Sequence, residues 1–189
     1  MYIPSFNFHT LPEAGKLLIA SPFLADPHFS RSVVLLCDHS DEGSMGFVLN
    51  KISDYTLAYL FNDDNLPEIP VYLGGPVQKD TLHILHNQGQ ILGGHSVNNQ
   101  IHWGGSFEAL SEGLLDNTLT KEQLILTIGY AGWSGGQLEA ECKEGSWKVI
   151  DALPGILNTN PKDLWKKCIR SLGPEYSVML NMPQNPQYN

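Results

Sequence analysis

The sequence has 189 residues, of which 42% are hydrophobic and 16% charged, and these values predict one folded domain over residues 1–189 and exclude a disordered chain. Its 11 basic and 20 acidic side chains give a formal net charge of −9. This charge opposes sequence-independent attraction to a phosphate backbone, so direct DNA binding is not expected.

Short apolar runs separated by polar turns predict strands in the first part of the chain, after an amino-terminal arm over residues 1–14. A short helix is predicted at 56–61, before an acidic loop that contains proline. The predicted strands are 16–20, 32–37, 45–50, 71–73, 81–86 and 101–103. The first three of them form an antiparallel unit.

The second part of the chain alternates helices with two strands. Ser106 and Asn160 are the expected N-caps of helices at 107–116 and 161–173, and Pro161 suits the first position of the second helix. The remaining predictions are strands at 124–130 and 147–150, a helix at 137–143 and a flexible tail over 182–189. Because strands dominate and do not alternate strictly with helices, the fold class is α+β with a mixed sheet.

The cysteines and the apolar runs bear on the compartment. Cys37, Cys142 and Cys168 are widely spaced and form no Cys-x-x-Cys pair, so we expect reduced thiols and neither a zinc site nor a dithiol centre. No apolar run approaches the ~20 residues of a membrane span, and the first residues lack the pattern of a signal peptide. The sequence therefore predicts a cytoplasmic protein without a membrane segment.

A glycine-rich corner, Gly129–Glu141 (GYAGWSGGQLEAE), follows the clearest strand. It can be a phosphate cradle, the turn beside a catalytic residue, or a sharp architectural corner. The corner has no lysine, and two glutamates begin the helix that follows, so phosphate binding is disfavoured. The architectural interpretation predicts that the strand stops abruptly, that Trp133 folds onto apolar surface, and that Gly132 or Gly136 has a positive φ or a contact too close for a Cβ.

Catalytic and metal-binding interpretations find weak support in the residues. Ser134 does not sit in a Gly-x-Ser-x-Gly elbow. Cys37 and His39 are two residues apart and share a face if the strand continues, but a cysteine that ends an apolar run is more typical of a buried position. His83 and His86, three apart in a strand, point to opposite faces. No catalytic residue, metal ligand or cofactor is therefore assigned.

The segments together resemble the YqgE/AlgH family of bacterial proteins. The resemblance is carried by residues 20–39, 43–50 and 74–77, by the glycine-rich corner, and by Asp163-Leu164-Trp165, in the family's order over nearly the whole chain. Ile52 and Gly135 depart from it, and both departures concern turn geometry. The resemblance implies a single cytoplasmic α+β domain whose bifurcated sheet is rolled into a pseudo-barrel. It also implies a suggested role in regulating transcription, with no agreed catalytic residue, cofactor or ligand.

Two functions follow from these observations. The leading hypothesis is a non-enzymatic regulatory or interaction protein that acts through a protein or small-molecule partner and not by direct DNA binding, because no helix-turn-helix with a basic recognition helix is found. The alternative is a small-molecule binding protein, with a nucleotide as one candidate ligand, or an enzyme, with its site at the glycine-rich turn. Its candidate ligand-binding residues are Arg31, His39, Asn50, Gly132, Trp133 and Gly136. A pocket that gathers these residues would favour the alternative.

Overall fold

The computed structural model describes residues 10–182. Within these residues ten strands form the sheet: β1 (Lys16–Ala20), β2 (Val33–Ser40), β3 (Gly43–Val48), β4 (Ile52–Thr56), β5 (Pro70–Leu73), β6 (Val77–His86), β7 (His95–Ser96), β8 (His102–Trp103), β9 (Leu124–Ser134) and β10 (Trp147–Asp151). The helices are α1 (Leu57–Phe61), α2 (Gly89–Leu92), α3 (Phe107–Leu115), α4 (Gln137–Lys143) and α5 (Pro161–Ser171), with 3₁₀ turns at Lys121–Gln123, Ile156–Asn158 and Pro174–Asn181.

The sheet branches at β9, its longest strand. The amino-terminal half of β9 pairs with β5 in parallel, the carboxy-terminal half pairs with β3 antiparallel, and β6 pairs along the other edge. The main path runs β10-β1-β2-β3-β9-β6-β8-β7, and β4 lies outside β5. The predicted α+β fold with a mixed, bifurcated sheet is confirmed. Since the path has two ends, the described strands form an open roll and not a closed barrel.

Two opposite faces of the sheet carry separate apolar layers. One layer includes Leu35 and Phe47 and is covered by Trp165 of α5; we call this side the α5 face. The other includes Leu36 and Trp133, is covered by α4, and is called the α4 face. A third cluster lies beneath α1 and α3. The alternation of side chains along each strand assigns residues to these faces wherever no bulge interrupts it.

The helix caps form as the sequence predicts. The Ser106 hydroxyl accepts a hydrogen bond from the backbone N–H of Ala109 at 3.1 Å. The Asn160 side chain accepts one from the N–H of Lys162 at 3.0 Å, with Pro161 at the start of α5. These bonds satisfy amides that have no partner within the helix, so they fix where each helix begins.

Several boundaries differ from the sequence predictions. The predicted strand 124–130 continues to Ser134, so its abrupt end at Tyr130 is wrong: four residues of the corner pair with β3. Strand β6 begins at Val77, four residues before the predicted start, and β4 and α2 were not predicted. Residues 1–9 of the predicted arm and residues 183–189 of the predicted tail lie outside the described part of the chain.

The glycines of the corner have different constraints. Gly136, the N-cap of α4, has φ +75°, as predicted, with nothing within 4 Å of an added Cβ. Gly132 has neither a positive φ nor a backbone clash. At Gly135 a Cβ would lie 2.3 Å from the carbonyl oxygen of Asp41, and at Gly129, with φ +67°, it would lie 2.7 Å from that of Gly75. The close approaches that require glycine therefore occur at Gly129 and Gly135, where segments of the sheet meet.

Candidate functional site

Four of the six sequence-predicted site residues line cavities, two in each of two separate cavities, and the other two line neither of them. Gly132 and Trp133 line one cavity, and Arg31 and Asn50 line another. Neither cavity includes the other pair, and neither is lined by His39 or Gly136. The arrangement thus gives no support to a single site at the glycine-rich turn, and the role of the individual residues as ligand contacts stays a prediction.

A bulge in β2 separates Cys37 from His39. The pairing of β2 with β3 shifts between Leu36 and Asp38, so the side chains of Cys37 and His39 fall on opposite faces. The Cys37 thiol lies in the α5-face core, 3.7 Å from the carbonyl oxygen of Leu35, and burial raises its pKa far above the ordinary value. The predicted shared face is wrong, because a β-bulge interrupts the alternation.

His39 instead belongs to a hydrogen-bonded group on the α4 face. Its Nδ1 lies 2.8 Å from the Ser44 hydroxyl, and its Nε2 lies 3.5 Å from a carboxylate oxygen of Glu139 on α4. The residue types match a hydrolytic triad. However, Ser44 pairs with His39 and with Trp133 in the sheet, which places the three side chains on the α4 face. Ser44 borders the cavity on the other face, but His39 and Glu139 are not among the described residues that line it. The group joins the β2–β3 hairpin to α4.

The glycine-rich corner is occupied by its own side chains. The side-chain oxygen Oε1 of Gln137 accepts hydrogen bonds from the Ser134 backbone N–H at 3.0 Å and from the Ser134 hydroxyl at 3.2 Å. One carboxylate oxygen of Glu141 accepts from the indole N–H groups of Trp133 and Trp147 at 2.9 and 2.8 Å. Trp133 is only 6% exposed, as the architectural interpretation predicts. These contacts leave Ser134 without a histidine base among the described residues.

A cavity of about 590 Å³ opens on the α5 face at the end of the β2–β3 hairpin. Five strands, β2, β3, β6, β8 and β9, contribute to it. Its principal lining residues are Asp38, Ser40, Glu42, Met45, Val77, Gln78, His83, Trp103, Tyr130 and Gly132, and we call it the acidic cleft. The buried ring of Phe47 lies behind it, with centroids 4.9 Å from His83 and 5.7 Å from Trp103. The cleft therefore has an aromatic floor.

Two ring nitrogens of residues that line the acidic cleft have no hydrogen-bond partner among the described residues. They are Nε2 of His83 and Nε1 of Trp103, and both atoms are buried. The other three indole N–H groups of the protein donate to protein oxygens: two to Glu141 and that of Trp165 to the carbonyl oxygen of Ala20. A buried donor without an acceptor costs about 1–3 kcal/mol, and such groups in native proteins require an explanation.

The rim and the wall of the cleft add charge and backbone strain. Asp38 and Glu42 are exposed carboxylates, and no lysine or arginine is among the described lining residues. Burial lowers the pKa of His83, so its imidazole is neutral near pH 7. Gln78 has φ +46° because residues 78–81 of β6 bulge out opposite the single residue Gly129 of β9. Such strain is common where a ligand is held.

Sequence reasoning did not single out most of the cleft. Asp38 follows an apolar run as an ordinary turn residue, and Gln78 has no pattern around it. The metal interpretation did consider His83, and the structure confirms that His83 and His86 face opposite sides: His83 faces the cleft, and His86 stacks on His102 with centroids 5.6 Å apart. Within residues 10–182, no group of three or more His, Cys, Asp or Glu side chains is arranged to hold a metal ion.

Comparison with known proteins gives the family. The profile of the AlgH-like family matches residues 17–177. The chain belongs to the AlgH-like family. A UPF0301 protein of Chlorobaculum tepidum is 41% identical over 185 residues, covering 97% of this chain and 99% of that protein. A UPF0301 protein of Parabacteroides distasonis is 39% identical over 183 residues, covering 95% and 92%.

Solved structures agree with this assignment. The solution structure of the AlgH protein from Pseudomonas aeruginosa is 30% identical, with a TM-score of 0.72 over 90% of this AlgH-like chain and 94% of that one. A crystal structure of a Corynebacterium diphtheriae protein has a TM-score of 0.78 over 94% and 96% of the two chains; at 23% identity it shows the shared fold alone. Across the described residues of the AlgH-like chain, no helix is long and apolar enough to cross a membrane.

Proposed function

We propose that this AlgH-like chain is a non-enzymatic interaction protein that binds a partner protein by taking a basic side chain into the acidic cleft. The observation that carries the proposal is the pair of buried, unpartnered ring nitrogens, of His83 and Trp103, in a cavity with an acidic rim. The indole N–H needs an acceptor, and the rim carboxylates favour a cation. A basic residue of a protein supplies both, since its backbone carbonyl accepts and its side chain is positive.

The energetics favour a cation with an apolar stem. The aromatic rings of Trp103 and Tyr130 offer cation–π contacts worth about 0.5–2 kcal/mol, depending on desolvation. An acceptor placed at the Trp103 N–H removes the cost of a buried unsatisfied donor. The formal net charge of −9 also speeds the encounter with a basic protein segment.

The non-enzymatic character is part of the proposal. The cysteines support it: Cys37, which was considered as a nucleophile, is buried in the core, and burial raises the pKa of Cys142 to about 11 and that of Cys168 to about 12. We further propose a cytoplasmic location, which suits three free thiols. In this proposal, any regulatory effect on transcription acts through a protein partner, because the negative charge opposes direct DNA contact.

The test uses a small mimic of the basic residue. N-acetyl-argininamide is titrated into ¹⁵N-labelled protein, and the four indole N–H resonances are followed. The Trp103 resonance should shift and saturate, while those of Trp147 and Trp165, which do not line the cleft, should stay in place. N-acetyl-citrullinamide, which has the same shape without the charge, should bind about tenfold more weakly, a difference of about 1.4 kcal/mol.

Variants separate the cleft from the general surface charge. Trp103→Phe keeps the ring and removes the donor, and Asp38→Asn removes one rim charge; each should weaken binding of the arginine probe. Glu68→Gln, at an exposed carboxylate outside the cleft lining, is the matched control and should bind as the natural chain does. Equal affinity for the arginine and citrulline probes, or no movement of the Trp103 resonance, would contradict the proposal.

A further inference from the structure

A strip of positive charge crosses one side of this acidic protein. Two cavities, of about 460 and 330 Å³, share Lys51 in their linings. The first also contains Lys79 and the second Arg31, Lys162 and Lys166, so five of the protein's 11 lysines and arginines meet there. We call these five side chains the basic strip. It does not overlap the lining of the acidic cleft.

Carboxylates are kept out of the basic strip. Neither of the two cavities has an aspartate or glutamate among its described lining residues. The nearby Asp26 attracts Lys51 electrostatically, but its carboxylate accepts from the backbone N–H of His28 at 2.7 Å and does not line either cavity. Asp163 of α5 is exposed and also lies outside both linings. The Lys51 ammonium donates to the backbone carbonyl oxygen of Pro27 at 2.7 Å and keeps two further N–H donors, so an anion that enters the cavities can still bind it.

Arg31 is held in place by three other segments. Asn50 donates from its side chain to the Arg31 carbonyl oxygen at 2.9 Å and accepts from the Val33 N–H at 2.9 Å, which fixes the backbone of Arg31 at φ +52°. The guanidinium lies 5.0 Å from the centroid of the Trp165 ring and donates to the carbonyl oxygen of Met182. A fixed guanidinium loses little conformational entropy on binding and has further N–H donors for an oxyanion.

The larger of the two cavities has an apolar wall beside Lys51 and Lys79. Tyr55 and Leu73, which line it, are 42% and 44% exposed. Ile128 of β9, the strand between β5 and β6, also lines this cavity. The Tyr55 ring also stacks on Tyr59 with centroids 5.5 Å apart, so it is partly ordered. Both cavities fall in the size range of small-molecule sites. An apolar surface next to clustered cations suits a ligand that is apolar at one end and strongly anionic at the other.

We propose that the basic strip binds a small organic phosphate, with the phosphate held by Lys51, Arg31 and Lys166 and the apolar body resting on Tyr55 and Leu73. A phosphate dianion suits this arrangement better than a carboxylate, because it offers more charge and more acceptor oxygens to several cations at once. The proposal does not depend on the acidic cleft. It also differs from a site at the glycine-rich corner, none of whose residues 129–141 lines these two cavities.

Calorimetric titration with three probes tests the site. 1-Naphthyl phosphate has both the anion and the apolar body, inorganic phosphate has only the anion, and 1-naphthol has only the body. We expect saturable binding of naphthyl phosphate, at least about tenfold tighter than that of either other probe. Leu73→Ser should abolish this advantage while leaving the weak binding of inorganic phosphate unchanged.

Lysine variants provide the decisive comparison. Lys51→Met and Lys166→Met should each weaken naphthyl phosphate binding several-fold. Lys167→Met is the matched control, because Lys167 is the next residue of α5 and is exposed, yet lines neither cavity; its effect should be negligible. An equal loss from Lys166→Met and Lys167→Met would show general charge attraction only and overturn the proposal. Unfolding midpoints establish that each variant is folded.

Other anionic partners define the remaining outcomes. Binding of a mixed-sequence oligonucleotide or of anionic phosphatidylserine vesicles through Lys51, without saturable binding of naphthyl phosphate, would overturn the assignment to a small ligand. The titration with N-acetyl-argininamide should be unaffected by Lys51→Met. If the arginine probe does not bind and naphthyl phosphate does, the phosphate site at the basic strip is supported and the proposed partner-binding function is refuted.

Discussion

Replacing Glu141 should reveal what holds α4 against the sheet. Its carboxylate oxygen Oε2 accepts the indole N–H groups of Trp133 and Trp147, and its Oε1 accepts from the side chain of Gln137 at 2.9 Å. Trp133 and Trp147 are 6% and 1% exposed. The two indoles also contact each other edge to face, with centroids 5.8 Å apart. Glu141→Ala leaves both donors buried without their acceptor.

The expected loss can be estimated from these bonds. A buried donor left without an acceptor costs about 1–3 kcal/mol, and here two indole N–H groups would lose their acceptor. Because Glu141 is half-buried, water entering the vacated space will satisfy part of the demand. We therefore expect Glu141→Ala to lower the free energy of unfolding by about 2–4 kcal/mol. Glu141→Gln retains a carbonyl oxygen that can accept both N–H groups, so it should cost less, about 1–2 kcal/mol.

Urea unfolding followed by far-ultraviolet circular dichroism measures these losses, with the indole N–H resonances as a local readout. Glu144→Ala, at an exposed carboxylate at the end of the same helix, is the control and should change stability by no more than about 0.5 kcal/mol. Trp133→Phe and Trp147→Phe, each combined with Glu141→Ala, should show coupling. The reasoning is refuted if Glu141→Ala costs less than about 1 kcal/mol or no more than the control.

Two further predictions concern the glycine-rich corner and a buried histidine. Gly129→Ala should destabilise by about 2 kcal/mol or more, because φ is +67° and the new Cβ would meet two backbone oxygens, at 2.7 and 2.8 Å; Gly132→Ala should cost well under half of that, since φ is ordinary and only the edge of the Tyr130 ring lies nearby, at 3.2 Å. Equal losses of unfolding free energy in the two variants would contradict this account. Burial lowers the pKa of His86 below the ordinary 6.5. The unfolded chain therefore takes up a proton that the folded one refuses as the pH falls below about 6.5, and stability should decrease in that window. His86→Gln should make the fall in unfolding free energy between pH 7.5 and 5.5 less steep, and an unchanged slope would exclude His86 as its source.

The fold was largely predictable because local signals agreed with the tertiary structure. The caps Ser106 and Asn160 begin their helices as predicted, and the predicted limits of β1 and α4 match the structure. Strand β4, Ile52–Thr56, was missed because its side chains are mostly exposed and have no apolar alternation. Among the described strands it pairs only with β5, so it is formed by the register of its neighbour more than by its own sequence.

Bulges account for the larger errors. The extra residue at Cys37 in β2 changes which face the following side chains occupy, and the four residues 78–81 of β6 lie opposite a single residue of β9. A bulge of this kind depends on what the partner strand supplies, here Met45 of β3 and Gly129 of β9. Period-two reasoning along one strand cannot include that information. It placed Cys37 with His39, and it gave no reason to place Asp38 beside His83 and Trp103.

The basic strip shows why net charge alone does not predict the sites on this protein. The value of −9 is a sum over the whole surface, whereas salt screens interactions beyond about 8–10 Å. A ligand at Lys51 is therefore influenced mainly by charges within that radius, and the described linings of its two cavities contain only cations among their fully charged side chains. A DNA duplex, by contrast, extends over a much larger area and meets the surrounding acidic surface as well. The same charge distribution thus disfavours a long polyanion and permits a small one.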